Sequence, residues 1–347
     1  MKKRREGFKS AADILPGLIK QIKGPTPIEQ RLINAASLSA EYPDLRTLVY
    51  QHSTLCQVFL PYRDPGPDVL NWTRSNGLVD LRLISGEAKH PSGEWVRVPL
   101  PFGPKCRLVL MHINQLAIVE KSPRLEMEDS LTAFVRRVLK LDPKGRNLKM
   151  VKEQLRRLAT SSIRLGANTA DHTRAVTRKL EIVTEFDVWF PKDERQRVLW
   201  PSYVELSAEY FASLQQHAVP LNEAHIAALS HSAMALDIYT WLAQRLHRIP
   251  PNKPAFVPWT ALHAQFGQGY AQIKKFREVF RTALKQVLAL YQSADVTDDD
   301  ETNRRPAKLL LKGNEMQWRE PAATGLTLRH SAPPVPPRLF PVTSGKP

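Results

Sequence analysis

Two stretches of this chain repeat apolar residues at helical spacing and fill the opposite face with lysine and arginine, which fixes how each must sit in any fold. They read RNLKMVKEQLRRLATS over residues 146–161 and YAQIKKFREVFRTALKQVLALY over residues 270–291. At about 100° per residue, Leu148, Val151, Leu155 and Leu158 share one sector, while Arg146, Lys149, Lys152, Arg156 and Arg157 crowd the other side. In the second stretch Ile273, Phe276, Phe280, Leu284 and Val287 form the stripe, and Lys274, Arg281 and Lys285 line another face. Each helix must lie on a core with its cations outward, and the major groove of DNA accepts such a helix. A merely solvated surface helix, or one packed on another module, shows the same face; the recurrence within one chain favours the groove.

The charge balance points the same way. Lysine plus arginine number 50 against 34 acids, a formal net charge of +16, and such an excess suits a polyanion, either nucleic acid or an anionic membrane. No apolar run approaches the ~18 residues of a spanning helix, and the longest candidate, Leu108 to Val119, is interrupted by His112, Asn114 and Gln115. The start MKKRREGFKS carries the charge of a signal peptide, but the AADILPGLIKQIK that follows is short and broken by Pro16. These features predict a cytoplasmic protein with no membrane partner. Cys56 and Cys106 are too few for a disulfide framework, which fits a reducing compartment, and Cys106 reads as a small core residue.

At 347 residues with 42% hydrophobic content, two domains with two modest cores are expected. Residues 1–55 read as a basic, partly disordered arm. Residues 56–205 form the first domain: strand-like pieces from Gln57 to Pro101, a helix Pro104 to Val119, an extended RLEM, a helix Glu128 to Leu141, the turn DPKG, the first basic helix, and the runs SIRLG and RKLEIVTEFDVWF joined by a polar loop. That order is the order of a winged helix, with the hairpin as its wing. Residues 206–319 repeat it: a helix Asn222 to Arg248 with Asn222 as N-cap, an extended AFVPW, a helix WTALHAQF, the turn GQG, the second basic helix, and the strand AKLLLKG. Residues 320–347 are Pro-rich and read as a disordered tail. The expected fold class is α+β, mostly helical, with two tandem winged-helix domains and small β-hairpin wings.

The segments LPFGPKCRLVLMHINQLAI, SLTAFVRRVLKL and GRNLKMVKEQLRRLATSSIRLG, followed by ALDIYTWLAQRLHRIP and the second basic helix, resemble plasmid-encoded replication initiators of the RepA type. The likeness spans about Leu100 to Leu311 and leaves the N-terminal arm and the tail outside. It implies a bacterial protein that binds directly repeated sites, or iterons, in double-stranded DNA at a plasmid origin, helps open the duplex and recruits the host helicase. It also implies two winged helices that both touch DNA, and a homodimer formed through the first domain.

In a helix-turn-helix the first turns of the recognition helix reach base edges, and later residues touch phosphate. That rule assigns Arg146, Asn147 and Lys149 to bases and Lys152, Arg156 and Arg157 to the backbone. In the second helix it assigns Gln268, Tyr270 and Gln272 to bases, glutamine being able to pair bidentately with adenine, and Lys274, Lys275, Arg277 and Arg281 to positioning. On the wings, Arg304, Arg305 and Lys308 are candidates for a minor groove, as are Arg174, Arg178 and Lys179, although solvated loop charge explains the latter three as well.

No catalytic residue, cofactor or metal is expected. The phosphate-cradling G-x-x-x-x-G-K-[ST] is absent, Gly267-Gln268-Gly269 lacks the third glycine of a dinucleotide site, and H-E-x-x-H and G-x-S-x-G do not occur. The His-x-His of metal-dependent nickases is missing too. Asp298 to Glu301 lacks the spaced ligands of a calcium loop and reads as an exposed turn. A repressor of the same architecture, binding a palindrome as a dimer, and a non-enzymatic scaffold for an acidic protein remain as alternative readings.

Overall fold

The computed structural model describes residues 25–38, 48–76, 79–89, 92–126, 135–136, 145–168, 175–186, 203–299, 308–312, 315–319 and 324–335. Helix α1 (Pro27–Leu38) opens on a capping box, in which Thr26 Oγ1 accepts from Glu29 N at 3.3 Å and Thr26 N donates to Glu29 Oε2 at 2.7 Å. Strand β1 (Leu48–His52) is buried throughout. Then come β2 (Asn71–Ser75), β3 (Val79–Ile84), β4 (Gly86–Lys89) and β5 (Trp95–Val98). Helix α2 (Gly103–Glu120) has proline in its first turn and stops where Lys121 turns left-handed at φ 53°. It is followed by β6 (Arg124–Glu126), the basic helix α3 (Gly145–Thr160), β7 (Ser162–Asn168), β8 (Ala175–Leu180), β9 (Val183–Phe186) and β10 (Tyr203–Leu206). The helix expected over Glu128 to Leu141 lies outside the described residues except for Val135, which is buried, and Arg136.

The hairpin β7–β8 forms as expected but joins a different sheet from the one a wing would join. It extends β2 and β3 into a four-stranded antiparallel sheet of order β2-β3-β7-β8, while β6, β10 and β9 make a separate three-stranded sheet. The single run RKLEIVTEF is therefore two strands. Ile182 is buried between them, and Ser207 Oγ donates to the Glu181 carbonyl at 2.5 Å, which turns the chain from one sheet to the other.

The second half runs α4 (Ala208–His217), β11 (Ala218–Asn222), α5 (Glu223–Leu229), α6 (Ala233–Arg245), β12 (Ala255–Pro258), α7 (Trp259–Phe266), the basic helix α8 (Ile273–Leu290), β13 (Val296–Asp299), β14 (Lys308–Lys312), β15 (Glu315–Arg319) and β16 (Gly325–Leu328). The long helix expected from Asn222 to Arg248 is divided, because two residues cap two helices. Asn222 Oδ1 accepts from Ala224 N and His225 N, and Ser232 Oγ accepts from Ala235 N after a turn at Ser230.

Two expectations need correction. The region from Glu320 is not all tail: β16 is the middle strand of the sheet β12-β16-β13, with Leu326 and Leu328 fully buried, and Val335 packs on Leu48 and Tyr50. Within residues 1–55, β1 pairs antiparallel with β11, Leu48 opposite Asn222. There are not two separate cores. One apolar cluster runs from Leu32 to Leu328, and Phe59 of the first half meets Phe266 of α7 with ring centroids 4.7 Å apart. Phe266 also takes the edge of Trp241, so an aromatic chain stitches the halves together.

Candidate nucleic-acid interface

Helix α3 buries Val151, Leu155 and Leu158, and its buried Gln154 accepts from the Phe102 backbone N–H at 2.8 Å. Arg146 and Lys149 stand exposed on the opposite side. Lys152 is half-buried, and its pKa is lowered first by that burial and then by neighbouring Arg156. Glu153 sits within the cationic face: Arg156 Nε reaches it at 3.0 Å and Arg157 Nε at 2.7 Å. Burial opposes ionisation of Glu153, but the two guanidiniums outweigh it and hold the carboxyl below its ordinary range.

Arg157 turns away from the face on which the sequence places it. Its side chain is only 12% exposed, lies 5.2 Å over the Phe102 ring, and donates to Asp64 and to the Leu100 carbonyl at 3.1 Å. It braces the helix rather than facing solvent. Lys105, at the start of α2, joins the patch without being singled out in the sequence; burial and then the charge of Arg146 lower its pKa. A lone lysine in an apolar helix gave no periodic signal for this.

Helix α8 buries Phe276, Phe280, Leu284 and Val287, with Trp259 edge-on to Phe280 at 5.6 Å. Lys274 and Lys275 are exposed, Lys275 pairing with Glu278 at 3.1 Å. Arg277 and Arg281 instead face the sheet β12-β16-β13. Arg277 lies 5.6 Å over Trp259 and reaches Thr324 Oγ1 at 3.5 Å. Arg281 lies 5.0 Å over the same ring and donates to Asp298 at 2.6 Å. Both arginines therefore hold the sheet to the helix.

The helix starts at Ile273, three residues later than its apolar pattern suggests, so Gln268, Tyr270 and Gln272 lie on the turn before it. Gly269, at φ 90°, lets that turn close, with Tyr270 N donating to the Gly267 carbonyl at 2.9 Å. Tyr270 is half-buried, edge-on to Phe276, and its carbonyl accepts from His263 Nε2. Gln272 is exposed and its side chain makes no cap hydrogen bond. Gln268 is exposed and accepts from Arg74 Nε at 3.3 Å. The side chains of Asn147, Arg174, Arg178, Lys179, Arg304, Arg305 and Lys308 lie outside the described residues.

A buried ion pair joins α2, against which α3 packs, to α6, against which α8 packs. Arg107 of α2 donates through Nε and Nη2 to the two oxygens of Asp237 on α6, at 2.6 and 2.7 Å. Its remaining donors go to the carbonyls of Leu60, Pro61 and Gly103, so the whole guanidinium fork is satisfied. Close by, buried Arg74 of β2 lies 4.7 Å over Tyr62 and 4.9 Å over Trp72 while reaching Gln268 on the turn into α8. The sheet of the first half thus touches the start of the second basic helix. Both cysteines are buried, which raises their pKa values, that of Cys106 to about 12. Among the described residues no group of His, Cys, Asp or Glu is arranged to hold a metal ion, and no helix is long and apolar enough to cross a membrane.

An α+β chain with two outward basic helices on one shared core has a relative by sequence. Residues 100–260, a little under half of the chain, match the RepA_C family, described as plasmid encoded RepA protein. That is the family the quoted segments resemble. No curated protein matches the chain. Among solved structures, the chain is similar to the crystal structure of SeMet derivatives of domains 2 and 3 of RctB, at 7% identity and a TM-score of 0.46, covering 80% of this chain and 98% of that one. A second structure of RctB domains 2-3 is similar at 7% identity and a TM-score of 0.45, covering 80% of this chain and 96% of that one.

Proposed function

We propose that the chain is a plasmid replication initiator of two winged-helix modules, which binds directly repeated sites in double-stranded DNA at an origin with α3 and α8 and performs no chemistry of its own. The observation that carries this reading is a repeated topology. Each three-stranded sheet has the order first, last, middle strand, β6-β10-β9 and β12-β16-β13, and each basic helix lies between the first and middle strands of its own sheet. In such a module the third helix enters the major groove and the hairpin of the last two strands flanks it. The hairpin of the first module is then β9–β10, not β7–β8, and β14–β15 continue that of the second.

Phosphate neutralisation supplies most of the affinity, through Lys152 and Arg156 on one helix and Lys274 and Lys275 on the other. Specificity comes from Arg146 and Lys149 in the first turn of α3 and from Gln268 and Gln272 on the turn before α8. If each module neutralises about three to five phosphates, the log-log salt slope is roughly −5 to −9. Duplex opening, recruitment of a host helicase and a homodimer through the first half follow from the family likeness and belong to the same proposal.

Footprinting on plasmid DNA flanking the gene tests it. Protection of tandem repeats is expected; protection of a single palindrome would favour the repressor, and no preference over random duplex would overturn site-specific binding. Within the repeats, Arg156→Ala should weaken binding to all sequences alike, and Gln272→Ala should relax preference at particular base pairs.

A further inference from the structure

The outer face of the sheet β2-β3-β7-β8 takes no part in the site described above. Alternation turns Trp72, Leu81, Leu83 and Ile163 towards the core and leaves Thr73, Arg82 and Arg164 outward and exposed. The register places Thr73 opposite Arg82, Arg82 opposite Arg164, and Arg164 opposite Lys179 of β8. Arg82 and Arg164 therefore stand side by side on adjacent strands, about 4.8 Å apart. Like charges directly opposite each other on a sheet destabilise it, and sequences normally alternate sign there.

Among the described residues no carboxylate forms an ion pair with Arg82 or Arg164, and the bond Arg82 makes is from Nη2 to Asn71 Oδ1 at 3.4 Å. Asp80 shares the face but sits one row away, opposite Gly166. The described outward positions carry no aromatic ring, so this face offers nothing for a base to stack on. It does offer charge to a backbone, and its strand β7 leaves the C-terminal end of the first basic helix one residue after Thr160.

We infer that the exposed pair Arg82 and Arg164 is a clamp for the phosphate backbone of duplex DNA, extending the path of the duplex beyond α3. The inference rests on the DNA-binding reading above. It is tested on the full chain with a random-sequence duplex of about 40 base pairs, by measuring affinity against salt for the wild type, for Arg82→Ala with Arg164→Ala, and for Arg82→Lys with Arg164→Lys. Each neutralised phosphate contributes about 0.9 to the slope, so the alanine pair should flatten it by about 1.8 and the lysine pair should leave it unchanged. In low salt without DNA, the alanine pair should unfold at or above the wild-type temperature, because repulsion is relieved. An unchanged slope in the alanine pair, or a lysine pair flattened as much as the alanine pair, would overturn the clamp while leaving the function standing. A wild-type chain that ignores duplex DNA would instead sink the function reading, and the clamp with it. Should the alanine pair not fold, Arg82→Thr alone is expected to flatten the slope by about 0.9, and no change would count against the clamp.

Discussion

The Arg107–Asp237 pair is a buried contact whose one-sided loss is costly. Its side chains are 2% and 6% exposed, and removing one partner leaves the other charged in the core. Asp237→Ala should cost about 3–5 kcal/mol, read as a lower urea midpoint; a loss of under about 1 kcal/mol would mean that water or another acid takes over the guanidinium. Two buried histidines give the stability its pH dependence. His52 Nδ1 accepts from Thr54 N, which leaves Nε2 to donate to Ser213 Oγ, and His225 Nδ1 shares a hydrogen bond with the Tyr239 hydroxyl. Burial lowers both pKa values from 6.5 to about 4, with His217 adding to the effect on His52. Below about 6.5 the unfolded chain binds protons that the folded chain refuses, so stability is full above that pH and falls as pH drops towards about 4, by up to about 3 kcal/mol per ring. Replacing His52 and His225 with glutamine should flatten that decline, and an undiminished decline would place its source elsewhere. At this scale the sequence was legible only in part. Periodicity separates Leu155 from Lys149, but it cannot say that Arg156 stays on the cationic face while adjacent Arg157 bends back to Asp64 and the Leu100 carbonyl.

Elements show where local pattern suffices and where it fails. Both basic helices were legible because a stripe of one residue type every three or four positions survives in any context. Strand β16 was not: four residues, GLTL, stand among prolines, and what makes them a strand is pairing with Phe256 and Thr297, far away in the chain. The same holds for β1, whose partner β11 lies beyond the whole first half. A chain ending at Arg319 should therefore lose the middle of the second sheet and the cover of Val257. It should unfold without a sharp transition in the second half, whereas one ending at Val335 should unfold cooperatively. Equal midpoints for the two would show that β16 adds nothing. Gly86 offers a smaller probe. A Cβ there would lie 1.9 Å from the Thr160 carbonyl, so Gly86→Ala must push the β4–β5 hairpin off the end of α3. A drop of several degrees in melting temperature is expected, read by circular dichroism.

Across the whole molecule, a shared core and a buried latch replace the independent domains that length alone suggests. On the proposed function, α3 and α8 held on a rigid frame act as linked sites, so fixing their relative orientation contributes affinity without adding a contact. Replacing Arg107 with Met together with Asp237 with Leu should keep or raise stability, as exchanges of buried pairs for apolar residues often do, and should weaken binding to a duplex that spans both helices. Undiminished binding would show that the shared apolar core, with Phe59 against Phe266, suffices to hold the frame. The order of synthesis gives the sheet β12-β16-β13 a further consequence. Its two outer strands leave the ribosome before the strand that joins them, so α8 waits on an unfinished platform until Gly325–Leu328 has emerged. On the proposed function a nascent chain thus acquires its second contact with DNA late, and a truncated product is left with two unpaired strand edges.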